Sequence, residues 1–319
     1  MIKRVWLLLF LLIATSVFAQ TSWRNFVAGL RSEAIAKGIR PEVFDEAFQN
    51  IKAPHNEVLR FDRTQPEKRI TYLHYRNSRA SQDRIVIGRS EVKKNRELLN
   101  RIASHYQVDP CFIASLWGLE TSYGRFMGKY SVIQSLATLA YDERRGPIFR
   151  RELFYALEML NNGDVSLQDL KGEWAGATGQ PQFLPSTWHN YAVDYDGDGH
   201  KDIWRSKGDV FASIANYLSH LGWQANQPWT IEVSLPANFD RELLSLKTVK
   251  TVSEWEQLGV RFSGHDTESI NPQLPASVIE PDGGPVMMVF NNFRVIMKWN
   301  HSTYYAGTVG YMAHQICQR

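Results

Sequence analysis

Residues 109–121 constrain this chain more than any other stretch. Asp109 suits a helix N-cap and Pro110 the first helical position, so a helix starts there, runs to about Thr121 and stops near Gly124. Its interior is almost wholly apolar, and Glu120 is its only acid. Ile113, Leu116 and Trp117 precede Glu120 by seven, four and three residues, which puts the carboxyl on their face. Burial there raises the carboxyl pKa, and the negative end of the helix dipole acts the same way. A glutamic acid kept protonated near neutral pH can donate a proton to a leaving oxygen. The plainer alternative is a Glu that pairs with a base or reaches solvent at the helix end.

Lys3 and Arg4 precede an apolar run over residues 5–17, and Val17-Phe18-Ala19 supplies small residues for cleavage before Gln20. This is the layout of a secretory signal peptide over 1–19, with periplasmic export as the consequence. The run is short for a membrane anchor, which takes roughly 20 apolar residues. No Cys stands at the cleavage position, so a lipid anchor is not indicated. Losing Lys3 and Arg4 takes the formal net charge from +3 to +1. With no basic stripe, nucleic acid is not an expected partner. An aromatic-rich, near-neutral exported chain fits a carbohydrate, although aromatics also fill cores. Cys111 and Cys317 are the only cysteines. Export permits a disulfide, and a buried thiol at Cys111 fits equally well.

Periodicity predicts an α+β chain that is mainly α. Helices are expected over 23–50, 89–107, 131–141, 147–162, 185–192, 208–221 and 302–316. Residues 51–85 read as polar and irregular. Strands are expected at 229–235, 247–251, 285–290 and 293–298, with a short helix at 252–258. This gives a helical domain over 20–105, a core over 106–225, a small β-rich lobe over 226–298 and a helix over 299–319 returning to the core.

Two further segments carry chemistry. Residues 174–188 combine small residues, which allow close backbone approach, with Gln182, whose amide can both donate to and accept from a sugar. A tight turn between helices would use the same residues. In residues 194–202, Asp194, Asp196, Asp198 and Asp202 occupy loop positions 1, 3, 5 and 9, Gly199 occupies position 6, and His200 would act through its carbonyl. That is EF-hand spacing, broken at position 12 by Arg205, with Asp209 as a candidate closing ligand. A solvated acidic turn is the alternative to a cation site.

Several ordered blocks resemble one family, the lytic murein transglycosylase B family. They are Gly118-Leu119-Glu120-Thr121, Tyr123-Gly124-Arg125-Phe126-Met127-Gly128-Lys129-Tyr130, residues 135–141, residues 174–186, Asp198-Gly199-His200, Ala215-Asn216-Tyr217-Leu218 and Trp299-Asn300-His301-Ser302. Together they cover about residues 70–317. The resemblance implies a lysozyme-like catalytic core, a flanking helical domain and a small β lobe. It implies Glu120 as acid and then base in cutting peptidoglycan with 1,6-anhydro ends. Gln182, Tyr217, Asn300 and Tyr75 are implied around the sugar, with Tyr123 and Glu173 as further contacts. No cofactor is needed for that chemistry, and a structural Ca²⁺ is implied. A monomer acting on glycan strands is expected, with cell-wall synthesis or division proteins as candidate partners. Glu173 stands where the family commonly has Ser, Thr178 where it has Met, and Trp299 where it has Tyr. Glu173 leaves a two-carboxylate hydrolase as a rival, and a non-catalytic glycan-binding scaffold is a second.

Overall fold

The computed structural model describes residues 22–64, 70–142, 144–263 and 270–317. The expected signal peptide lies outside them. Among them, no helix is long and apolar enough to cross a membrane.

The chain opens with α1 (Trp23–Ala36), which Ser22 caps, and α2 (Pro41–Phe48), which starts on a proline. The stretch expected to be irregular holds two short helices, α3 (Asn56–Arg63) and α4 (Tyr72–Arg79). Their polar composition hid them: each buries only one or two side chains, Val58 and Asp62 in α3 and Tyr72 in α4. The single helix expected over 89–107 is two, α5 (Gln82–Lys94) and α6 (Arg96–Tyr106). They break at Asn95, whose side-chain amide donates to the Glu91 carbonyl at 2.7 Å and so competes with the helical ladder.

Next comes α7 (Pro110–Thr121), followed by β1 (Tyr130–Ser131), α8 (Val132–Tyr141), α9 (Gly146–Asn162), β2 (Lys171–Gly172), α10 (Pro185–Tyr191) and α11 (Lys207–His220). Asp109 Oδ1 caps α7 by accepting from Cys111 N at 2.7 Å, as its sequence predicts. β1 and β2 pair antiparallel, Tyr130 opposite Gly172. Gly128 lets these segments close up, because a Cβ there would lie 2.1 Å from the Gly172 carbonyl carbon.

The lobe contains β3 (Thr230–Ser234), β4 (Lys250–Thr251), α12 (Val252–Gln257), β5 (Arg261–Phe262), β6 (Pro275–Ile279) and β7 (Met287–Val289). They form an antiparallel sheet in the order β4-β6-β7-β3-β5. It has its own small core around Trp255, Val278, Met288 and Phe290. The strand expected at 293–298 is instead part of helix α13 (Asn291–Trp299), which α14 (Thr303–Cys317) follows. Val295 and Ile296 suggest a strand locally, but the segment buries Phe293, Val295 and Ile296 at helical spacing against the main core.

α7 runs through the middle of that main core and packs on α5, α6, α11 and α14. Cys111, near the start of α7, is bonded to Cys317 at the end of α14, with their Cα atoms 6.1 Å apart. Of the two fates the sequence leaves open for these cysteines, the disulfide is the one realised.

Candidate active site

Glu120 sits at the C-terminal end of α7, partly exposed, where the helix is stopped abruptly. Ser122 and Tyr123 both take positive φ, 49° and 65°, before Gly124 at 80°. Two non-glycine residues in the left-handed region are strained, so surrounding contacts must hold them. Thr121 supplies one, its hydroxyl donating to the Gln180 carbonyl at 2.8 Å while accepting from Gly124 N at 3.0 Å. Gln180 supplies more: Oε1 accepts from Trp117 Nε1 at 2.7 Å, and Nε2 donates to the Trp204 carbonyl at 2.8 Å. The small-residue segment thus locks onto α7.

Two donors converge on one oxygen of Glu120. Trp299 Nε1 donates to Oε1 at 2.8 Å, and the Tyr305 hydroxyl donates to the same atom. Oε2 receives no hydrogen bond from the described residues. Burial pushes the Glu120 carboxyl above the ordinary range, while the Tyr305 and Trp299 bonds and the Arg79 charge pull it back. Tyr305 is raised well above the usual phenol range, first by burial and then by Glu120 beside it, so it remains a donor.

Glu120 opens into a cleft of about 340 Å³ lined by Tyr75, Arg79, Leu119, Glu173, Gln182, Asn300, Tyr305 and Thr308. Tyr75 and Arg79 share one face of α4, and Glu173 follows β2. Gln182 is held at φ 52°. Its Nε2 donates to the carbonyls of Met127, at 3.1 Å, and Gly179, at 2.8 Å. Its Oε1 is buried and has no hydrogen-bond partner among the described residues.

The acidic loop forms a separate group. Carboxylate oxygens of Asp194, Asp196 and Asp209 lie within 4.8 Å of one another. Asp209 is fully buried and accepts from Tyr195 N and Asp202 N, each at 2.8 Å, with no cationic side chain paired to it among the described residues. The set is all hard oxygen, which suits Ca²⁺.

Residues 22–314 match the transglycosylase SLT domain. The chain belongs to that family. It is 33% identical over 250 residues to the membrane-bound lytic murein transglycosylase B of Escherichia coli (strain K12), a match covering 75% of this chain and 65% of that relative. The match thus spans slightly less than two thirds of that relative's length. SltB3 from Pseudomonas aeruginosa, solved in complex with NAG-anhNAM-pentapeptide, superposes with a TM-score of 0.89 at 40% identity over 92% of this chain and 79% of that one. The Escherichia coli lytic transglycosylase Slt35 in complex with calcium gives a TM-score of 0.79 at 29% identity over 91% and 92% of the two chains.

Within this SLT domain, Glu120, Gln182, Asn300, Tyr75 and Glu173 all line one cleft. Two tyrosines do not line it. Tyr123 is buried beneath α7, edge-on to Trp117 at 5.1 Å, with its hydroxyl donating to the Arg84 carbonyl, because the left-handed turn folds it back under the helix. Tyr217 is buried against Trp299 at 4.9 Å, and its hydroxyl donates to the Lys298 carbonyl at 2.8 Å. It packs on Trp299, whose indole donates to Glu120. Asp198 and Asp202 stay outside the carboxylate group. Asp198 Oδ1 accepts from His200 N, and Asp202 Oδ1 accepts from Trp204 N and Arg205 N. His200 enters the turn as that backbone donor.

Sequence reasoning missed Tyr305, Trp299 and Arg79. Tyr305 reads as one more packing residue of the last helix. Arg79 has a signal only in retrospect, lying four residues after Tyr75.

Proposed function

We propose that this protein is a lytic transglycosylase that cuts the β-1,4 bond between N-acetylmuramic acid and N-acetylglucosamine of peptidoglycan and leaves 1,6-anhydro ends. The observation that carries this reading is Glu120, a carboxylate held through Oε1 by two donors with Oε2 left for substrate. Most glycosidases use two carboxylates. Here Glu120 would protonate the leaving oxygen from Oε2. The muramoyl N-acetyl carbonyl would stabilise the developing oxocarbenium charge. Glu120, now ionised and supported by Tyr305, Trp299 and Arg79, would take the proton of the C6 hydroxyl as that oxygen attacks C1. A nucleophile carried on the substrate gains by proximity, so no second carboxylate is required. Gln182 Oε1 and Asn300 are assigned to sugar polar groups, and Tyr75 to the wall.

The test is the mass of the glycan ends released from purified peptidoglycan. Ends one water lighter than hydrolysed ends support the proposal. Reducing ends overturn it in favour of hydrolysis with Glu173. Binding without any product favours a scaffold.

The pH dependence follows from the Glu120 contacts. The first step needs the protonated acid, so the rate falls as pH rises through the raised Glu120 pKa. Trp299→Phe removes a bond that favours the ionised form, so the descending limb of kcat/KM moves to higher pH. The rate at the optimum should fall about tenfold on losing a charge-assisted bond. Trp299→Tyr, which keeps a donor, brings the limb back. An unmoved limb in Trp299→Phe rules out this role for the indole.

We assign Asp194, Asp196 and Asp209 to a structural Ca²⁺, which would supply charge neutralisation between the 194–202 loop and α11 and no catalytic step. Its support is the buried, unpaired Asp209 carboxylate, which is costly without a cation. Adding Ca²⁺ should raise Tm, with about 2.7 kcal/mol of stabilisation at a hundredfold excess over Kd. Asp194→Asn should weaken that response, and an identical response in the variant would place the ion elsewhere. The apolar leader supports export to the periplasm.

A further inference from the structure

Glu173 is the one charged side chain of the cleft that the reaction above leaves idle. Arg79 lies over the Tyr75 ring, 5.8 Å from its centroid, and acts on Glu120 by charge. Glu120 is itself held by Tyr305 and Trp299. The Glu173 carboxylate lines the same cavity, is exposed, and has neither a side-chain hydrogen bond nor an ion pair among the described residues. Lys129 and Lys171 flank the neighbouring β1–β2 ribbon, and neither reaches it within ion-pairing distance.

The backbone beneath this carboxylate is fixed. Glu173 N donates to the Ala177 carbonyl at 2.8 Å, and the Glu173 carbonyl accepts from Gly176 N at 2.9 Å. Gly128 packs so closely that a Cβ there would lie 2.6 Å from Glu173 N. The wall therefore presents the negative charge from a set position, a few ångströms of side chain away from whatever fills the cleft. An acetylated glycan offers only neutral hydroxyl and amide donors. When it displaces water, such donors leave the charge uncompensated, which costs free energy. A primary ammonium offers donors and the opposite charge together.

We propose that Glu173 is a specificity-determining carboxylate that binds a primary ammonium group on the strand, so that this chain favours strands bearing free amines beside the cut. The proposal rests on the glycan-cutting reading above. Two parts of peptidoglycan carry such an amine: a de-N-acetylated hexosamine other than the muramoyl residue whose N-acetyl group assists the cut, and the free side amine of a diamino acid in the stem peptide.

The test compares product release from four preparations: peptide-free strands that are partly de-N-acetylated, the same strands re-acetylated, peptide-bearing strands with their peptide amines free, and the same strands with those amines acetylated. At low salt the wild type should favour amine-bearing over amine-blocked strands by about fivefold, the scale of a partly screened charge pair. The ratio should fall to about one in Glu173→Gln, which keeps shape and hydrogen bonding but not charge. High salt should also shrink it in the wild type. A preference on the peptide-free strands assigns the amine to the sugar. A preference confined to free peptide amines assigns it to the stem. The proposal is overturned if the wild type shows no preference or if Glu173→Gln keeps it. The same ratio is read as strand binding in Glu120→Gln, with and without Glu173→Gln, so it decides the role of Glu173 even without cutting. Failure of the wild type to release any anhydro end sinks the function reading alone.

Discussion

Glu120→Gln is expected to reduce release of soluble muropeptides by about 10³-fold or more while leaving binding to insoluble peptidoglycan in place. General acid–base catalysis contributes roughly 10²–10⁴-fold, and in the proposed scheme one residue serves both proton transfers. The amide keeps the shape and can still accept from Tyr305 and Trp299, so a loss of rate is a loss of the exchangeable proton. Undiminished cutting by Glu120→Gln would remove the central claim. Stability should move the opposite way. The folded state raises the Glu120 pKa, so it favours the protonated form. That advantage is full below the unfolded pKa and is lost as pH rises through the folded value. Glu120→Gln carries no such penalty, so its Tm should match the wild type in acid and exceed it at alkaline pH. Thermal melts across pH check this, and a difference that stays flat with pH would contradict it.

Replacing Cys111 and Cys317 together by Ser should cost about 2–5 kcal/mol of stability, since the bond closes a very long loop, with 206 residues of sequence separation. In a chain of this size that corresponds to a fall in Tm of roughly 4–15 °C. The bond joins the two helices that carry Glu120 and Tyr305, at the end of α7 opposite Glu120. The acid lies nine residues along the helix from Cys111, about 14 Å at 1.5 Å per residue. Reduction should therefore lower Tm far more than it changes kcat measured well below the melt. A Tm indifferent to reductant would show that packing of α14 on α7 suffices.

How much of this was legible in the chain follows from the range of the forces involved. Glu120 was legible because a lone acid on an apolar helix is a local conflict, and its neighbours three, four and seven residues back are fixed by helical geometry alone. The Asp109 cap and the acidic spacing of 194–202 are likewise local. The strand β6 escaped because four of its five residues are buried, which erases alternation, and α13 was mistaken because β-branched residues favour a strand until burial at helical spacing overrides them. The donors to Glu120 could not be read locally at all. Trp299 and Tyr305 lie 179 and 185 residues away in sequence, and only packing of α13 and α14 against α7 brings them to Oε1. The same holds for Arg79, for the idle charge of Glu173 and for the burial of Tyr123. Local patterning is enough to show which carboxyl is out of place on its helix. The tertiary structure decided which of its oxygens is held and what stands opposite it, because hydrogen bonds act over about 3 Å and only folding sets distances on that scale between remote residues.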